Sequence, residues 1–115
     1  MKIGVNLGGT VYSRPVVFRE LLDALNAAGH VIFCVAPHAR ETFEQVERAR
    51  LAGYDIDPNM FDTSLMPKTE PASDAGKIAQ KIRMANACDI VFDDAADKYQ
   101  HLTTSLVFRV PPPRG

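Results

Sequence analysis

The segment Val31-Ile32-Phe33-Cys34-Val35-Ala36 is apolar without a break. A strand with one wet face alternates apolar and polar residues, so an unbroken run needs cover on both faces. Helices packed above and below a parallel sheet give that cover, and the flanking sequence supplies them. Before the run, Val17, Leu21, Leu25 and Ala28 recur at helical spacing, reinforced by Phe18 and Leu22. This predicts a sheet-facing stripe, with Arg19, Glu20 and Asp23 left for water. Pro15 suits the first helical position, and Gly29 follows the last periodic residue as a stop. After the run, a helix is predicted over 41–52, with Phe43, Val46 and Ala49 or Arg50 on successive turns. Gly53 stops it, and Glu44 and Arg48 form a supporting pair on its solvated face.

The other elements follow in order. Ile3, Val5 and Leu7 alternate with small or polar residues to make a first strand, ended by Gly8-Gly9-Thr10. Glycines at such a strand end let backbone N–H groups approach an anion closely. A short third strand is expected within 60–66, at the sheet edge, in a stretch punctuated by Pro58, Pro67 and Pro71. Ser73 or Asp74 caps a helix over 74–87, with Ile78, Ile82 and Ala85 inward and Lys77 and Lys81 stacked one turn apart. Residues 88–92 give a fourth strand that runs into Asp93-Asp94. A short helical turn over 95–101 leads to a fifth strand over 105–110. Pro111-Pro112-Pro113 then ends regular structure, leaving 111–115 as an irregular tail. Strands separated by helices predict a single domain over 1–115, with a mainly parallel sheet and right-handed crossovers.

The charge balance narrows the function. A net charge of -1 gives no electrostatic footprint for nucleic acid or an acidic membrane. No apolar run approaches the roughly 20 residues of a membrane span, and the start of the chain lacks the apolar core of a secretory signal. Cys34 and Cys88 sit in or beside strand-like runs, as reduced, buried small hydrophobes. A cytoplasmic location is expected. His30, His38 and His101 are too dispersed for a metal spacing; His38 is the one placed on a loop at a strand's carboxyl end.

In an open α/β sheet, ligands bind at the carboxyl ends of the strands. Here those ends are Asn6 to Thr10, Ala36 to Arg40, and Asp93-Asp94. In element order over nearly the whole chain, the sequence resembles the haloacid dehalogenase-like hydrolase superfamily, most closely its small members without a large cap domain. That family's first motif is a strand followed by Asp-x-Asp-Gly-Thr, matched here by Asn6-Leu7-Gly8-Gly9-Thr10. Its second ends a strand with Ser or Thr, where this chain has Ala36. Its third supplies a lysine, matched by Lys77, with Lys81 and Lys68 as alternatives. Its fourth is a strand ending in paired acids, matched by Ile90-Val91-Phe92-Asp93-Asp94. The resemblance implies a compact, capless, Rossmann-like three-layer α/β domain with sheet order 5-4-1-2-3. It also implies phosphoryl transfer, with Mg²⁺ held by Asp93 and Asp94.

The departures fall on the chemistry. In the family the first aspartate attacks phosphorus and the second works as general acid and base. Asn6 carries an amide in place of the nucleophile, Gly8 has no side chain, and Ala36 lacks the phosphate-holding hydroxyl. The expected function is therefore that of a pseudoenzyme, a phosphatase-like domain without the covalent mechanism. It would bind a small anionic or phosphorylated ligand, or a protein partner. The expected ligand contacts are Asn6, Gly8, Gly9, Thr10, Ala36 and Lys77. The alternative is a weak or altered magnesium-dependent phosphohydrolase in which Asp93 or Asp94 holds the metal. Side-chain alternation at the end of the fourth strand sends one of these acids toward the first strand and the other into the following turn. The expected assignment is Asp93 toward the Asn6 loop and Asp94 capping the turn at Ala95-Ala96, with the reverse open.

Overall fold

The computed structural model describes residues 1–113. Five strands form one parallel sheet: β1 (Lys2–Val5), β2 (Val31–Cys34), β3 (Phe61–Asp62), β4 (Ile90–Asp93) and β5 (Leu106–Arg109). Their order across the sheet is β3-β2-β1-β4-β5, which is the expected order 5-4-1-2-3 read from the other edge. β1 is central, with Ile3 and Val5 facing Ile32 and Cys34 of β2 on one side and Ile90 and Phe92 of β4 on the other. The tail expected over 111–115 extends to Arg114 and Gly115, which lie outside the described residues.

Alternation along the strands divides the core in two. Ile3, Val5, Ile32 and Cys34 point to one face and pack with Phe18, Leu22, Phe43 and Leu51. Phe33, Val35 and Val91 point to the other and pack with Met84, Ala85, Cys88 and Tyr99. From Ile32 to Ala36 the unbroken apolar run is thus buried on both faces, as its composition requires, while Val31 at its start is exposed. Gly4 faces the second cluster, where a Cβ would come within 2.5 Å of Val35 Cγ2 and 3.1 Å of Cys88 Sγ. Both cysteines are free and buried.

Helix α1 (Pro15–Ala27) and the helical stretch α2 (40–53) cover the first face; α3 (Asp74–Asn86) covers the second. On α1 the buried stripe is centred on Phe18 and Leu22, with Leu21 and Leu25 half-buried at its margin. Val17 is 58% exposed and Ala28 is exposed, which corrects the expected stripe. The helix turns its largest side chain inward, and the Phe18 ring meets Phe92 edge-on at 6.2 Å. α2 carries a π turn, Phe43–Glu47, between the α-helical pieces Arg40–Thr42 and Arg48–Gly53. The wider turn lengthens the local repeat, so Phe43 and Leu51 are buried while Val46 is 51% exposed. Regular periodicity placed Val46 inward, and the π turn overturns that. The expected Glu44–Arg48 pair forms at 2.7 Å. At α3, Ser73 Oγ accepts from the Gly76 amide and is the cap. No helix among the described residues is long and apolar enough to cross a membrane.

Candidate functional site

The carboxyl end of β1 is fastened to the acid pair at the end of β4. The Asn6 amide continues the ladder by donating to the Phe92 carbonyl at 3.0 Å. Its side-chain Nδ2 donates to the Gly8 carbonyl at 2.6 Å and to Asp94 Oδ1 at 3.0 Å. Thr10 Oγ1 donates to the same Asp94 oxygen at 2.9 Å and accepts from the Asp94 amide at 2.9 Å. Gly9 has φ +75°, and a Cβ there would collide with the Asp94 carboxylate, coming within 2.7 Å of its Cγ. Only glycine meets both demands. Gly8 is different: a Cβ there meets nothing within 4 Å, so space for a side chain is present and unused. Among the described residues, the N–H groups of Gly8 and Gly9 have no hydrogen-bond acceptor.

Asp93 serves elsewhere. It is fully buried, and its Oδ1 accepts from the Ala95 amide at 3.0 Å. Oδ2 accepts from Lys81 Nζ at 2.8 Å and from the Tyr99 hydroxyl at 2.7 Å. Burial, followed by the charge and hydrogen bond of Asp93, holds the Tyr99 phenol above its usual range. The Lys81 ammonium also lies 5.7 Å from the Tyr99 ring centre. The acid at the Asn6 loop is therefore Asp94, and the one that caps the turn is Asp93, the reverse of the expected assignment. Strand parity is the cause: Asp93 shares a face with Val91 on the α3 side, while Asp94 follows Phe92 toward the other.

The lysine beside the acid pair is Lys81. Lys77, one turn earlier on α3, reaches Glu70 Oε1 at 3.7 Å, and Lys68 is exposed. Because Asp93 and Asp94 point to opposite sides of β4, their carboxylates do not converge. No group of three histidine, cysteine or acidic side chains gathers among the described residues.

A cavity of about 320 Å³ opens between the carboxyl ends of β1, β2 and β4. Asn6, Gly8 and Ala36 line its base together with Asp94 and Lys81. Its outer wall comes from β1's following turn and from α2. The Tyr12 hydroxyl donates to Glu47, and the Arg50 guanidinium lies 4.1 Å from the Tyr12 ring centre. Tyr54 stacks on the same ring with centres 5.5 Å apart. Burial first, then the Glu47 hydrogen bond, raises the Tyr12 phenol above its usual range. Cys34 lies beneath, its thiol pushed up to about 12 by burial and by Glu47. His38 stands at the rim with Nδ1 at 3.1 Å from Glu70 Oε1. That hydrogen bond first, and then the charges of His38 and Lys77, hold the Glu70 carboxyl below its ordinary range.

Formal charge at this cavity is unevenly satisfied. Glu47 faces the Tyr12 hydroxyl, Asp94 takes two donors, and Lys81 is matched by Asp93. Arg50 has no acidic partner among the described residues. Sequence reasoning did not place Tyr12, Glu47, Arg50 or Tyr99 here. Glu47 read as a solvated helix charge, and Arg50, or Ala49 in its place, as part of the stripe with Phe43 and Val46; the structure leaves both Ala49 and Arg50 exposed, with Glu47 and Arg50 at the cavity. The aromatic at 12, directly after a Gly-Gly-Thr strand end, was the one signal available. No family model, curated protein or solved structure matches this chain.

Proposed function

We propose that this chain is a degenerate haloacid dehalogenase-like domain that binds a small phosphate-class anion without covalent phosphoryl transfer. One observation carries the reading: Asn6, where the family's nucleophile would stand, donates to Asp94 beside two glycine amides with no acceptor of their own. The amide ties Asp94 down, and it has no lone pair basic enough to attack phosphorus. The Gly8 and Gly9 N–H groups are successive free donors of the kind that holds anions, and Gly8 lines the cavity. Arg50 supplies an always-charged fork across the cavity, suited to two phosphate oxygens at once. A magnesium ion, which demands near-octahedral oxygen coordination, does not fit this donor set. Asp93 is spent on Lys81, Tyr99 and a backbone amide, and Asp94 Oδ1 on Asn6 and Thr10. A cytoplasmic setting suits two free, buried thiols.

Titrating inorganic phosphate into ¹⁵N-labelled protein tests this reading. The Gly8 and Gly9 amide resonances are expected to move together and saturate, and Arg50→Gln is expected to weaken the saturation about tenfold. Phosphate that leaves both glycine amides in place, or that binds Arg50→Gln as well as wild type, contradicts it.

A further inference from the structure

A second cavity of about 380 Å³ lies on the far side of Lys81, between the start of α3 and the short helical turn Ala96–Lys98. Pro37, Lys81 and Ala95 line both cavities, so the two adjoin as compartments on either side of these residues, the Lys81 side chain among them. The second compartment has three lysines, Lys77, Lys81 and Lys98, against a single acid, Asp74. Lys81 is spent on Asp93, and Lys77 reaches Glu70 only at 3.7 Å across an exposed surface. Lys98 has no acidic partner among the described residues. Ile78 and Tyr99 give this compartment an apolar floor.

Each compartment therefore holds a cation without an acid partner, Arg50 in the first and Lys98 in the second, and a neutral saddle of Pro37 and Ala95 joins them. Unpaired cations in two adjoining compartments match a ligand with two anionic ends and an uncharged middle. A monoanion would satisfy only one compartment. We infer that the ligand is a linear bisphosphate-class molecule, one phosphate on the Gly8-Gly9 amides and Arg50, the other between Lys77 and Lys98. The inference rests on the anion reading of the first cavity and adds the ligand's length and second charge.

The test compares hexyl phosphate with 1,6-hexanediol bisphosphate by calorimetry, on wild type and Lys98→Gln. Lys98 is exposed on a surface turn, so its replacement leaves the core untouched. The bisphosphate is expected to bind wild type about tenfold more tightly than the monophosphate, the worth of one further charge-assisted hydrogen bond. That exceeds the factor of about two that two equivalent ends give by themselves. Lys98→Gln is expected to erase the advantage while leaving hexyl phosphate affinity at the wild-type value, which also shows the first compartment intact. Equal binding of the two probes by wild type overturns the inference and leaves single-anion binding standing. An advantage that survives in Lys98→Gln overturns the placement of the second phosphate. Failure of both probes to bind overturns this inference and the anion reading together.

Discussion

Replacing Asn6 by aspartate would set a second carboxylate against Asp94, whose Oδ1 lies 3.0 Å from the Asn6 amide nitrogen. The variant loses a donor and gains a like charge, so Asn6→Asp is expected to lose about 1–3 kcal/mol at neutral pH. One carboxyl of the pair must then titrate above its usual range. Lowering the pH into that range should restore stability, since a shared proton rebuilds the hydrogen bond. Urea midpoints across pH check this; an unchanged midpoint at neutral pH would mean the Asn6–Asp94 contact carries nothing. The thiols give a second pH dependence of known sign. Burial pushes Cys34 from 9.0 to about 12 and Cys88 from 9.0 to about 11. A raised folded value means stability is complete below pH 9.0 and declines as pH climbs through the folded values. At pH 8 both are protonated, and iodoacetamide labelling of either is expected to wait for unfolding. Fast native labelling would contradict their placement. At this scale the sequence was only partly readable. Gly9 announced its turn, but which of two adjacent aspartates faces β1 depends on a strand parity that shifts with a single residue of register.

At the scale of elements, the π turn in α2 decides which side chains reach the core and which reach the cavity. Leu51 is fully buried against the first core cluster, whereas Val46 is 51% exposed. Leu51→Ala is therefore expected to cost about 2–5 kcal/mol in denaturant unfolding, and Val46→Ala no more than about 0.5 kcal/mol. Comparable losses would mean that α2 keeps a regular repeat in solution. Strands and their order were legible because β1, β2 and β4 are short apolar runs between helical periods, and few topologies accept that pattern. Helix faces were less so. On α1 the sets Val17-Leu21-Leu25-Ala28 and Phe18-Leu22 lie on neighbouring lines, and only packing against Phe92 selects the second. Lys77 and Lys81 differ by one turn, so the choice between them needed the depth of α3 against β4, which no local pattern encodes.

Across the whole molecule, the sheet sorts roles by position: two buried faces for stability and one carboxyl edge for the cavity. Residues from β1, β2, α2, α3 and the end of β4 meet at that edge, and their separation in sequence is why the cavity wall was not legible when the strand ends were. Binding without chemistry is what the proposed function asks of this edge, and what would set it apart from a working phosphatase site. A single ³¹P NMR experiment reads both halves of it, following 4-nitrophenyl phosphate mixed with the protein, with and without magnesium, beside an Asp94→Asn control. The expected spectrum shows the ester resonance broadened and shifted by wild type, while inorganic phosphate grows no faster than in the control, whether or not magnesium is added. Steady release of inorganic phosphate that Asp94→Asn abolishes would contradict the proposal and make this edge a hydrolytic site.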